Sequence, residues 1–222
     1  MKVKLTLFLI FLLTAGYLSA QTILPKEGFF PGTLHYKNGQ VKSAYVSAPK
    51  KPGQNAIFIR ATNTAKSEKI PSELLDSISF TTPQGTTYCF ENLSWSMKEG
   101  GKIKNPQWFF TVVKGYASLY MLSDAYVITG KGKAYAVTYS VGSFGSEIYY
   151  MIKKQNDKVA YYFAYTSTFG PDRISQLLQR SATHYLSEDK DLVDKIIKKY
   201  QLSDRDAEEI INIYNDYMSQ KK

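Results

Sequence analysis

At Gly170-Pro171 the spacing of apolar residues changes, and with it the kind of structure the chain can form. On the N-terminal side apolar and polar residues alternate in short runs, as in "TTYCFEN", where Tyr88 and Phe90 fall on one face. Alternation of this kind marks a pleated strand. Past Pro171 the spacing becomes three and four. "PDRISQLLQRSATHYLS" aligns Ile174, Leu177, Leu178, Ala182, Tyr185 and Leu186, and "DKDLVDKIIKKYQL" aligns Leu192, Val193, Ile196, Ile197 and Tyr200. "SDRDAEEIINIYNDYM" aligns Ala207, Ile210, Ile211, Tyr214 and Met218. Each is a helical stripe. Pro171 suits a first helical position, where its missing N–H would be unbonded in any case. Isolated helices this short are marginal in water, so the tail must pack on itself or on the strands before it.

Those strands are marked off by turn residues. Asn38-Gly39 joins a strand around Thr33–Lys37 to one around Val41–Ser47 and suggests a two-residue hairpin turn with positive φ at both positions. "AIFIRA" reads as a short buried strand. "IPSELLDSISF" opens with Pro-Ser, which can start one helical turn before a strand at Ser77–Thr81. "QWFFTVVKG" is bulky and β-branched, and so fits a pleated surface. "ASLYMLS" follows, then "YVITGKGKAYAVTY" with a turn at Gly130-Lys131-Gly132, then "SEIYYMIKK" and "KVAYYFAYTS" across "QND". The spacing predicts an α+β protein: an antiparallel β-barrel or β-sandwich of about ten strands over residues 21–168, then a three-helix tail over 169–222.

The N-terminus carries a different signal. Lys2 and Lys4 precede an apolar run from Leu5 to Leu13, and Ser19-Ala20 precede Gln21. This is the layout of a signal peptide over residues 1–20, with an apolar run shorter than a spanning helix needs. Export follows as the expectation. The single cysteine, Cys89, has no internal disulfide partner, so a chain of this length relies on its core. Between residues 21 and 171 there are 17 Lys and Arg against 9 Asp and Glu, and from 172 onward 9 against 10. The positive excess therefore sits on the β part. Such charge suits acidic surfaces, and export argues against nucleic acid as the partner.

The residues offer little that reads as catalysis. His35 and His184 have no second ligand at metal-binding spacing. "SVGSFGSE" lacks the G-x-S-x-G spacing of a nucleophile elbow, and "TGKGK" lacks that of a phosphate loop. Cys89 reads as a small buried hydrophobe in a strand. The acids Asp204, Asp206, Glu208 and Glu209 lie against Ser203 at the start of a helix. Ser-x-x-Asp resembles a capping box, and first-turn acids meet the positive end of the helix dipole. Glu188, Asp189 and Asp191 read the same way one helix earlier. No catalytic, metal or cofactor residues are assigned.

What remains is aromatic. The chain has 18 tyrosines and two tryptophans. Trp95, Trp108, Tyr149, Tyr150, Tyr161 and Tyr162 are the ligand-binding candidates, for a glycan or small apolar ligand on a concave surface. The competing reading is cross-strand packing, with one tyrosine of each adjacent pair facing the core and the other facing out.

Four stretches, "LSAQ" at the end of the leader, "GTLHYKNGQVKSAYV", "VVKGYASLYML" and "IINIYNDY", together resemble exported proteins of Bacteroidota. The resemblance spans most of the chain. It implies a periplasmic or outer-membrane-associated location in a Gram-negative bacterium and brings no catalytic residues. The chain departs from the pattern in lacking a cysteine between its first two tail helices. Together these readings point to a non-enzymatic envelope module that contacts another protein or the envelope itself, with membrane contact at most peripheral. A transmembrane β-barrel is not expected, because amphipathic helices follow the last strand.

Overall fold

The computed structural model describes residues 28–81, 87–122, 126–128, 134–136, 148–166, 171–199 and 207–221. In chain order the strands are β1 (Phe29–Tyr36), β2 (Val41–Ser47), β3 (Ala56–Arg60), β4 (Glu68–Pro71), β5 (Leu75–Thr81), β6 (Thr87–Ser96), β7 (Lys104–Val113), β8 (Ala117–Leu122), β9 (Tyr126–Ile128), β10 (Ala134–Ala136), β11 (Ile148–Lys154) and β12 (Ala160–Thr166). The helices are α1 (Pro171–Tyr185), α2 (Lys190–Lys199) and α3 (Ala207–Gln220). Ser72–Leu74 forms the single tight turn expected after Pro71. The α+β class therefore holds, and α1 begins at Pro171 as its spacing predicts.

Ten strands form one sheet in the order β12-β11-β8-β7-β6-β5-β1-β2-β3-β4, and β9 and β10 pair separately. The sheet also closes on itself, since β12 pairs with β6. Strands β6, β7, β8, β11 and β12 thus make a five-stranded barrel. The closing pair is parallel, Ala160 against Trp95 and Tyr161 against Ser96. This corrects the expectation of a wholly antiparallel domain. The physical reason lies in the length of β6. Its first half, Thr87 to Glu91, pairs with β5, and its last residues pair with β12, so one long strand serves two neighbours in turn.

The hairpin at Asn38-Gly39 also differs from the expected two-residue turn. The Gly39 N–H donates to the Tyr36 carbonyl at 2.9 Å, and the Tyr36 N–H donates to the Gln40 carbonyl at 2.9 Å. The loop is three residues long, with Gly39 at its last position and φ of 85°. That position needs positive φ, which glycine adopts without a Cβ clash.

Three apolar clusters form among the described residues. The first lies under the N-terminal half of the sheet and includes Leu34, Val46, Ile57, Ile59, Ile78, Phe80, Phe90 and Trp108. The strands before β5 roll over this face, so that the Trp108 N–H donates to the Pro52 carbonyl at 2.9 Å. The tight turn seals it. Trp108 Nε1 donates to Ser72 Oγ at 2.9 Å, Ser72 Oγ donates to the Gln54 carbonyl at 2.7 Å, and Asn92 Nδ2 donates to the Ser72 carbonyl at 2.6 Å. A buried polar group costs about 1–3 kcal/mol when left unpaired, and these side chains satisfy one another.

The second cluster joins the tail to the outside of the barrel. Val113, Leu119, Ile152 and Phe163 from the strands meet Leu178, Ala182, Leu186, Val193, Ile196, Ile210, Ile211 and Tyr214 from the helices. The tail thus docks on the β part through its stripes. Asn215 fixes the position of α3. Its Oδ1 accepts from the Ala117 N–H at 2.8 Å, and its Nδ2 donates to the Ala117 carbonyl at 2.8 Å. The third cluster is the barrel interior, with Phe109, Tyr120, Met151 and Ala160 buried and Leu93, Trp95, Leu122 and Tyr162 around them.

Of the acids at the start of α2, Asp189 behaves as its position predicts and Asp191 stands in the first turn, while Glu188 is drawn into contacts with β11 and α3 instead. Asp189 Oδ1 accepts from the Leu192 N–H at 2.9 Å, which is an N-cap. Its Oδ2 also takes Tyr217 Oη at 2.5 Å and Lys221 Nζ at 2.7 Å, tying α2 to the end of α3. Glu188 takes Lys154 Nζ at 2.5 Å and Tyr214 Oη at 2.7 Å. Ser203, Asp204 and Asp206 lie outside the described residues, as do Gly130-Lys131-Gly132 and Ser143; Glu208 and Glu209 stand in the first turn of α3.

Candidate functional site

The six aromatic candidates do not converge on one cleft. Trp108 is fully buried and its indole N–H is bonded to Ser72, so its ring offers no surface to a ligand. Tyr150 packs where the sheet core meets the helix core. Tyr161 faces the helices and stacks on Tyr185 with ring centroids 5.7 Å apart. Trp95 and Tyr162 border the barrel interior, and Tyr149 stands 6.4 Å from Tyr162. Of each tyrosine pair, one was expected to face out. The pair on β11 meets this, with Tyr149 37% exposed and Tyr150 half-buried; on β12 the barrel and the helices cover both faces, and Tyr161 and Tyr162 are both half-buried.

The barrel interior is packed with side chains, and Glu91 borders it, opposite Phe109 across β6 and β7. The Glu91 side chain is 13% exposed. The carboxylate accepts from Tyr120 Oη at 3.0 Å and Thr111 Oγ1 at 3.3 Å, and it pairs with Lys114 Nζ. Three donors thus meet the carboxylate, which makes this a connected polar network. Cys89 lies beside it on the same face of β6. It is half-buried among polar neighbours and not in the apolar core as expected. Burial, and then the Glu91 carboxylate, push the thiol above its ordinary value. Burial likewise raises the Tyr120 phenol, with Glu91 adding to it. Thiolate chemistry needs the opposite shift, so this cluster suits structure better than nucleophilic attack. His35 is exposed on β1 opposite Val41 and Ser77. Among the described residues no group of three His, Cys, Asp or Glu side chains gathers to hold a metal.

Of the large apolar residues exposed among the described residues, Val41, Phe58, Leu74 and Tyr149 lie on β2, β3, the tight turn and β11, and two more lie at the tip of the β6–β7 hairpin, which the spacing of residues did not mark. Met97 is 50% exposed and Ile103 60% exposed. Lys98, Lys102 and Lys104 are exposed around them. The loop has a definite shape. Ser96 Oγ donates to the Lys98 carbonyl at 2.8 Å, and the Gly101 N–H donates to the same carbonyl at 3.1 Å. Gly100 has φ of 66°, and a Cβ on Gly101 would press on Ser96 and Lys98. Below the tip, Lys104 Nζ sits 4.0 Å above the Trp95 ring, and Trp95 meets Phe109 edge-on. The Trp95 indole N–H and the Gln107 side-chain oxygen are buried with no hydrogen-bond partner among the described residues.

Beside the tip runs an open groove of about 650 Å³ between the hairpin, β11 and α1, lined by Glu99, Lys154, Gln179, Arg180, Thr183, His184 and Ser187. Glu99 Oε2 lies 3.4 Å from His184 Nε2, so the one acid of the tip points toward α1. Burial, then Glu99, pushes the Tyr185 phenol up to about 12. His184 is thus exposed at the edge of its stripe, where the spacing placed it. No helix among the described residues is long and apolar enough to cross a membrane.

Comparison of the chain with protein-family models, with curated proteins and with solved structures finds no match.

Proposed function

We propose that the protein is a non-enzymatic, exported module of a Gram-negative cell envelope that works by contact with another envelope component. The leader-like N-terminus and the resemblance to exported Bacteroidota proteins support the location. The observation that carries the contact reading is the β6–β7 tip, where Met97 and Ile103 stand in solvent among three lysines. Two large apolar side chains on one shaped loop, set among lysines, are the exposed apolar surface on which the contact reading rests. The open edge of the sheet is a weaker support. Strand β4 is four residues long, carries Glu68 and Lys69, and ends in Pro71, which blunts it against strand addition. The aromatic-ligand reading has less behind it, because its six residues are divided between the barrel interior, the helix interface and the sheet core.

Fractionation of cells producing the full chain tests this reading. The protein should leave the cytoplasm, shorten at its N-terminus near Ala20, and remain with washed envelopes. The variant Met97→Ser/Ile103→Ser should wash off. Recovery from the cytoplasm with the leader intact, or retention that ignores the tip, would overturn it.

A further inference from the structure

We propose that the β6–β7 hairpin tip docks the protein on an anionic phospholipid bilayer. This deepens the contact reading above and rests on it. The chemistry of the tip is specific to such a surface. It carries two exposed aliphatic side chains, Met97 and Ile103, and three exposed lysines, Lys98, Lys102 and Lys104. Lys98 and Lys102 have no ion-pair partner among the described residues, and Lys104 rests on the Trp95 ring. Glu99 is held 3.4 Å from His184 Nε2, so the acid of the loop lies to the side of α1. Nearby, Lys154 is neutralised by Glu188, while Arg180 is exposed in the groove and adds positive charge on the same side.

A bilayer fits these residues better than a protein partner does. Protein interfaces enrich aromatic residues, methionine and arginine and are depleted in lysine, so Met97 suits either surface and the three lysines favour the bilayer. They also need on the order of 800 Å² and about 20–30 residues from each side, whereas the tip is a single hairpin turn. A bilayer asks for less. Aliphatic side chains enter the boundary between headgroups and acyl chains. Lysine stems lie along apolar surface while their ammonium groups stay with the phosphates. Each lysine near an anionic surface contributes independently of fine geometry. The tip also loses little freedom on docking, since Ser96 and the two glycines already fix its shape.

Co-sedimentation of the full chain with vesicles tests the assignment, using phosphatidylcholine alone and phosphatidylcholine mixed with phosphatidylglycerol. Binding is expected to the mixed vesicles only and should fall as salt rises. Lys98→Gln and Lys102→Gln should each weaken it by about fivefold. Met97→Ser/Ile103→Ser should weaken it by about tenfold or more. All these positions are exposed, and unchanged thermal unfolding of each variant will show that the fold is intact. Absence of binding to the mixed vesicles, or binding that none of the variants reduces, overturns the proposal. Envelope retention that depends on the tip without vesicle binding overturns the lipid assignment and leaves the contact reading standing. Loss of both overturns both.

Discussion

Asn215 gives the sharpest test of how the helical tail is held. Its amide makes two hydrogen bonds of 2.8 Å to the backbone of Ala117, a residue with no exposed surface. Replacing it with alanine leaves the Ala117 N–H and carbonyl without those partners at the first residue of β8. An unmade bond of this kind costs about 1–3 kcal/mol. Asn215 is itself only half-buried, so water can reach part of the gap. Asn215→Ala should therefore cost about 2 kcal/mol in urea unfolding. Gly115 supplies an internal check. A Cβ there would fall inside van der Waals contact with the Asn215 amide. Gly115→Ala alone should cost about 1–3 kcal/mol by overpacking. In the Asn215→Ala background most of that cost should vanish, because the obstructing amide is gone. The double variant should then be less destabilised than the sum by about 1 kcal/mol or more. Faster hydrogen exchange at the Ala117 amide in Asn215→Ala would locate the loss. A cost below about 0.5 kcal/mol for Asn215→Ala, of the size expected for an ordinary surface change, or strict additivity in the pair, would refute the reasoning.

Other consequences can be measured directly. Burial would raise the Glu188 carboxyl, but bonds from Lys154 and Tyr214 outweigh it and hold the group below its ordinary value, and Lys221 and Tyr217 hold Asp189 lower still. Groups with depressed folded pKa values contribute stability above their unfolded values that is lost as pH falls through the folded ones; tail docking, followed by circular dichroism melts, should weaken as pH drops below about 4.5, the value Glu188 starts from. A Cβ on Gly32 would collide with the Ser79 carbonyl, so Gly32→Ala should lower stability by about 2 kcal/mol or more in denaturant titration. Glu91→Gln removes the second cause of the raised Cys89 pKa. It should speed iodoacetamide labelling of that thiol at mildly alkaline pH; an unchanged rate would argue that burial alone controls it.

Much of the architecture is written locally. The period change at Pro171 separates strands from helices because a side-chain repeat of two and one of 3.6 cannot serve the same backbone. The stripes of α1, α2 and α3 name the residues that end up buried, from Leu178 through Tyr214. Asp189 announces a cap because its short carboxylate reaches only the N–H groups of the next turn. The site is less legible. Met97 and Ile103 look like ordinary strand residues in the sequence, and only their place at a hairpin tip leaves them uncovered. Trp108 looks like a ligand platform until Ser72 and Asn92 close over it.

What the sequence determines by itself, then, is the type of each element, the face each one buries and the demand that the tail dock. Those are properties of a few neighbouring residues. Partnership is different, because the backbone groups along a strand edge are the same whatever strand they meet. Nothing local tells β6 to leave β5 after Glu91 and take up β12 at Trp95. Closing the barrel turns one face of β6 inward, which leaves Glu91 and Cys89 half-buried and carries the hairpin tip out into solvent. The tertiary structure alone decides that, since it depends on which edges are free once the whole sheet has curled.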